Sequence, residues 1–357
     1  MKRRFTQLVS AAALVALSSQ ACAQDESKQS AITPTASPWL AVPMVSSNPK
    51  IGTSAGGMAS YLFKLDPEST SSMVGVGGTF STTDSYGAGV FLRTFWDQDR
   101  KRLTLFGGGG TIHNDYEDFL GSGYPAQTTD NFHVLQLKYL QQVKDQWYAG
   151  IQATYTNYLI FSENGGVNEA LGLLGLTGFD SVGVGLVGMY DTRNNKNTPT
   201  SGIKFQMDNF AYRESLGGEG SFDVYRVKFR QYIPQANNSV LAYRVDGRWT
   251  NDASNGAYSS VDLRGYTQGQ YLSPHASLVE LEKRWRLRGR FGVNLFAGVA
   301  CLYGDGKSCT SSENLYPSAG VGGQIMINEA EQISMSFDFA VGKEGNNGFY
   351  MRFGQAF

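Results

Sequence analysis

Apolar and polar residues alternate along most of this chain beyond residue 37. Ile333, Met335, Phe337, Phe339 and Val341 alternate with Gln332, Ser334, Ser336, Asp338 and Ala340. Leu241, Tyr243, Val245 and Trp249 stand against Ala242, Arg244, Asp246 and Arg248, and Tyr225, Val227, Phe229 and Ile233 against Arg226, Lys228 and Arg230. A period of two belongs to strands with two unlike faces. The pattern predicts about 16 strands, near 39–47, 52–64, 71–82, 85–97, 102–113, 129–143, 145–161, 179–191, 202–214, 221–233, 239–251, 277–288, 290–303, 316–328, 331–343 and 347–357. Each reaches the roughly 9–11 tilted residues that cross a bilayer. Tight turns at 97–100, 144–145 and 328–330 alternate with long loops near 114–128, 162–178, 252–276 and 304–315. Short turns at one end and long loops at the other are the habit of a transmembrane antiparallel β-barrel.

Alternation alone does not say which face is inside. A secreted sandwich or lipocalin-like barrel would bury the apolar face. Three features favour the inverse arrangement. Sixteen strands enclose too wide a lumen to fill with an apolar core. The charged set Arg226, Lys228, Arg230, Arg244, Asp246, Arg248, Glu280, Glu282 and Arg284 suits a wet, ion-paired lumen. The chain also stops on Phe357, with Phe353, Met351 and Phe349 at even spacing before it.

Composition agrees. The 43 glycines, 13% aromatic and 17% charged residues suit many strands, tight turns and one greasy face. A net charge of -1 gives no electrostatic case for nucleic acid. The first residues form an address. Met1-Lys2-Arg3-Arg4 precedes a short apolar core from Leu8 to Leu17, and Ala21-Cys22-Ala23 is an A-x-A cleavage site. Residues 1–23 therefore read as a secretory signal peptide, 24–37 as a short periplasmic lead, and 38–357 as the barrel. Acylation of Cys22 as a lipoprotein is the competing reading, weakened by Ser19 where a branched apolar residue belongs. Cleavage leaves Cys301 and Cys309, which in an oxidising compartment are expected to close a small loop as a disulfide. No metal or cofactor is expected, because two thiols and His113, His133 and His275 show no ligand spacing.

Four ordered stretches in the C-terminal half resemble the BamA/TamA-type outer-membrane barrel superfamily. Tyr190-Asp191-Thr192-Arg193 with Pro199-Thr200-Ser201-Gly202 resembles its D-x-R…P-T-x-G turn. Leu263-Arg264-Gly265-Tyr266 matches its [VIL]-R-G-[FY] motif, Glu282-Lys283-Arg284 its E-x-R strand, and Gly348–Phe357 its closing strand. The resemblance implies that Arg264 sits on an extracellular loop folded back into the lumen and meets acidic side chains on the inner wall. A confined guanidinium needs such a partner. The candidates are Glu282, Glu280 and Asp338, with Glu282 favoured by its strand. The family's F-x-D-x-G strand departs from pattern here: Phe296-Ala297-Gly298-Val299-Ala300 has glycine where the Asp belongs. Asp191 and Arg193 are expected only to stabilise their turn.

The resemblance also implies a role in inserting or translocating protein or lipid at the bacterial outer membrane, through a weak seam between first and last strands. Pro43 removes a ladder donor from the first strand. The expected partners are outer-membrane lipid, an unfolded outer-membrane or secreted polypeptide, and a separate periplasmic protein, since the short lead holds no repeat domains. A passive pore or structural surface barrel plugged by the 252–276 loop is the alternative. A hydrolase is the distant one. Gly52-Thr53-Ser54-Ala55-Gly56 is a literal G-x-S-x-G, but a nucleophile elbow needs a following helix and a base, and the residues after it read as strand. Gly107–Gly110 lacks the Lys-Ser/Thr of a phosphate loop.

Overall fold

Strands of this kind satisfy every backbone group inside a membrane only by closing on themselves. In the computed structural model, which describes residues 37–48, 50–116, 124–174 and 176–354, they do so. Sixteen antiparallel strands form the wall: β1 (Trp39–Asn48), β2 (Gly52–Phe63), β3 (Ser72–Ser81), β4 (Tyr86–Trp96), β5 (Lys101–Tyr116), β6 (Ala126–Lys144), β7 (Trp147–Phe161), β8 (Gly178–Asp191), β9 (Gly202–Tyr212), β10 (Phe222–Gln235), β11 (Ser239–Asn251), β14 (His275–Arg286), β15 (Phe291–Tyr303), β16 (Leu315–Asn328), β17 (Ile333–Gly342) and β18 (Asn347–Phe353). Two short strands, β12 (Ser259–Ser260) and β13 (Leu272–Ser273), pair with each other inside the long loop between β11 and β14. Neighbours in sequence are neighbours in the wall, and β18 returns to β1. The expected signal peptide, nearly all of the lead, and the terminal residues through Phe357 lie outside the described residues.

The turns at the end carrying both ends of the wall use residues that tolerate a left-handed backbone. Asp97, Gln98 and Asp99 have φ of 59°, 57° and 62°, and Asn237 and Asn238 have 58° and 55°. The opposite end carries the long connections. One of them contains a helix, α1 (Gly165–Leu173), capped by the Asn164 side chain and absent from the sequence reading.

The apolar alternates face outward. Val76, Leu135, Ile151, Leu186, Leu295 and Val321 are each more than half exposed. Aromatic pairs ring the turn end: Trp39 with Tyr61 and Trp147 with Tyr190, each at 4.9 Å between ring centroids, and Trp96 with Tyr139 at 6.1 Å. Such amphipathic rings sit at a membrane–water boundary. The ionic alternates face inward: Arg230 pairs with Asp246, and Arg248 donates to Ser259 and to the Ala257 carbonyl of the loop. The lumen also holds an apolar cluster of Leu40, Leu62, Met73 and Ile333, packed with Phe91.

Candidate functional site

The long loop between β11 and β14 is pinched at its neck, where Ser259 pairs with Ser273 and Ser260 with Leu272. Arg248 holds the neck from the wall. Beyond it the chain folds into the lumen. A turn bonds Tyr266 N–H to the Leu263 carbonyl at 3.3 Å, and Gly265 takes φ 95°, which an L side chain rarely adopts. A Cβ there would also lie 3.0 Å from the Val341 backbone. Leu263 and Tyr266 join Val261, Tyr271, Leu302 and Tyr316 in a buried cluster, so the loop has a small core of its own against the inner wall.

Arg264 projects from this turn into a ring of carboxylates. Its guanidinium lies 2.7 Å from Glu280, 2.7 Å from Glu282 and 3.1 Å from Asp338, and all four side chains are essentially inaccessible. Its plane rests on Phe296, 3.3 Å from guanidinium carbon to ring centroid. The carboxylates have second partners. Arg244 donates to Glu280 at 2.7 Å, Arg284 to Glu282 at 2.5 Å, and Asn294 to Asp338 at 3.1 Å. Three guanidinium groups thus balance three carboxylates in one buried network, the condition under which confined charge is tolerable.

The network explains the glycine at 298. Glu280 and Gly298 are direct register partners on β14 and β15. A Cβ at 298 would lie 3.0 Å from the Glu280 Cβ and 2.7 Å from the Val279 carbonyl. Glu280 thus occupies the space that a side chain at 298 would need. Around the tip, Tyr266 donates its hydroxyl to the Pro317 carbonyl at 2.6 Å and accepts Lys343 N–H at 2.9 Å. Tyr350 accepts Gly265 N–H at 3.0 Å. The sequence reading missed Arg244, Phe296, Tyr350 and Lys343 as parts of this site. Strand parity puts Tyr350 on the inner face, but nothing local ties it to residue 265.

A second closure occupies the opposite mouth. Asp191, at the end of β8, is fully buried and receives Arg102 at 2.8 Å, Arg193 at 2.8 Å and Lys196 at 3.2 Å. The segment 192–201 reaches across to the β16–β17 turn, where Asn197 donates to the Glu331 carbonyl and Thr198 to the Gln332 carbonyl. Arg93 steadies Asn197 at 2.9 Å. The sequence reading gave Asp191 and Arg193 a purely local turn role. Asp191 also receives Arg102 from β5, and the segment it anchors spans the barrel through Asn197 and Thr198.

Among the described residues the seam between β1 and β18 is short. Ser46 lies opposite Tyr350 and Ser47 opposite Phe349, whereas β1 pairs with β2 along its whole length. Cys301 and Cys309 form a disulfide at the base of the β15–β16 loop. Ser54 lies inside β2, which runs on to Phe63 with no helix after it, and Gly107–Gly110 lie inside β5. Among the described residues no cluster of His, Cys, Asp and Glu could hold a metal ion.

Solved structures share this fold. BamA from Haemophilus ducreyi lacking POTRA domains 1-3 superposes with a TM-score of 0.56 at 13% identity, over 89% of this chain and 70% of its own. CdiB from Acinetobacter baumannii gives 0.58 at 10% identity, and CdiB from Escherichia coli 0.57 at 12%. Each match covers 88% of this chain, but only 59% and 62% of the two CdiB chains. No protein-family model and no curated protein matches the sequence.

Proposed function

We propose that this chain works in the bacterial outer membrane as an insertion or translocation barrel for polypeptide or lipid, with a separate periplasmic partner. The carrying observation is the seam. Val42–Val45 of β1 lie opposite described residues at the end of β18 but have no ladder partner among them. Unpaired strand groups at membrane depth are costly in hydrocarbon and are a template for adding a strand. Pro43 is one of these positions and offers no N–H. The apolar exterior and aromatic ring support the location, and the loop anchored by Arg264 supports a plugged lumen rather than an open pore.

A cross-strand disulfide tests this reading. Ser47→Cys with Phe349→Cys joins direct register partners and locks the seam. Cells relying on the oxidised variant are expected to accumulate unassembled cargo or to change outer-membrane composition, with recovery under reductant. Normal assembly with the seam locked would remove the lateral route. The second reading, a structural barrel, is favoured by the closure of both mouths, and it predicts that outcome.

A further inference from the structure

The lumen wall from β5 to β11 carries more positive charge than its carboxylates can balance. Asp191 is taken by Arg102, Arg193 and Lys196, Asp208 by Arg226, and Asp246 by Arg230 and Arg244. Three lysines on the same inner face are left over: Lys138 on β6, Lys204 on β9 and Lys228 on β10. None has an ion pair or hydrogen bond with a described residue. In the ladder Lys204 lies between Arg230 and Asp191, and Lys228 between Gln206 and Asp246, but both of these carboxylates are already held by arginines. Lys138 is attracted by Asp208 but repelled by both Lys228 and Lys204. An uncompensated cation in a confined pore is expensive, and like charges side by side add to the cost.

Lys228 and Gln136 are exposed although both point inward, so the lumen in front of them is open, while Lys138 and Lys204 are half-buried. Beside Lys138 the wall turns apolar. Phe106 lies across Gly89 and Gly108, and Phe91 across Gly75. From Phe91 the apolar surface continues through Leu62 and Leu40 to the unpaired stretch of β1.

We infer that Lys138, Lys204 and Lys228 form a binding site for a phosphate group inside the barrel. A monovalent anion balances only one of the three charges. A phosphate offers up to two charges and several acceptor oxygens to separate donors. The group can come from free phosphate or from the head of an anionic lipid, whose chains would follow Phe106 and Phe91 toward the seam. The site stands apart from cargo insertion and does not depend on it.

The test uses the full barrel in a zwitterionic detergent and two probes, inorganic phosphate and phosphatidic acid. Phosphatidylcholine is the neutral control, and binding is read by native mass spectrometry and calorimetry. The unaltered protein is expected to bind one equivalent of at least one probe. The triple variant Lys138→Gln, Lys204→Gln, Lys228→Gln should lose at least tenfold in affinity, while Lys283→Gln on the outer face changes nothing. Binding of both probes in competition identifies free phosphate as sufficient. Binding of phosphatidic acid alone identifies the lipid head. If the triple variant fails to fold, Lys228→Gln alone replaces it, since that side chain sits in water, and a loss of at least threefold is expected. Binding of neither probe below millimolar concentration, or equal binding by the variant, would overturn the site.

Discussion

Replacing Arg264 with methionine removes the central cation while keeping the length of the side chain. Glu280 keeps Arg244 and Glu282 keeps Arg284, but Asp338 is left with Asn294 as its remaining neutral partner. The buried network then carries one excess negative charge. Breaking a buried ion pair by removing one partner costs about 3–5 kcal/mol. Because two of the three carboxylates keep a guanidinium, the lower end applies, about 3 kcal/mol. At about 1.4 kcal/mol per tenfold, the ratio of docked to undocked loop falls about 100-fold. The Tyr266 and Tyr350 hydrogen bonds and the cluster around Tyr271 still hold the loop, so it loosens rather than departs. Chymotrypsin reports this directly. Tyr266 and Tyr271 are about 5% exposed, and cleavage there follows the population of the open loop. The expected result is a cleavage rate raised about 100-fold, with unresolved current bursts in planar bilayers. Adding Asp338→Asn restores neutrality and should recover at least tenfold. A variant as resistant as the parent, or a double variant no better than the single, would refute the claim that charge balance docks the loop.

Asp191→Asn should weaken the hold of 192–201 on the opposite mouth, costing about 3 kcal/mol by the same argument, and is seen as a lower unfolding temperature on heat-modifiability gels. Lys50, in the β1–β2 turn, is desolvated, which outweighs the attraction of Asp130 and lowers its pKa to about 8. The folded state therefore binds fewer protons than the unfolded chain between about pH 8 and 10.5, so this residue makes stability rise with pH across that window and penalises folding below it. Lys50→Met should flatten the rise, measured by denaturant unfolding at pH 7.5 and pH 10; an unchanged slope would contradict it. Cutting the Cys301–Cys309 cross-link by paired serine substitution removes about 2–3 kcal/mol of loop-closure restraint. It should lower the melting temperature by no more than a few degrees and expose the intervening loop to protease.

How much was legible beforehand follows from where each signal lives. Strand positions are local: alternation in 225–233, 241–249 and 333–341 is written residue by residue, and these strands appear within a few residues of their expected places. The helix at Gly165–Leu173 was not, because its glycine-rich, short stretch has a weak helical pattern and depends on the Asn164 cap. The inward loop was readable only because Leu263–Tyr266 resembles a known motif; periodicity says nothing about a loop's destination.

The sequence by itself determined a strand-built wall and which alternate of each strand is greasy, since a period of two needs no distant partner to be read. The tertiary structure decided what that wall encloses. It brought Glu280, Glu282 and Asp338 around Arg264 from separate strands, and it put Glu280 where Gly298 leaves room. It also carried 192–201 across the lumen, and it left Lys138, Lys204 and Lys228 on the inner wall without an ion pair to a described residue. Closure of the sheet sets these relations, because register and curvature fix which inward side chains meet, and neither quantity is encoded within any single strand.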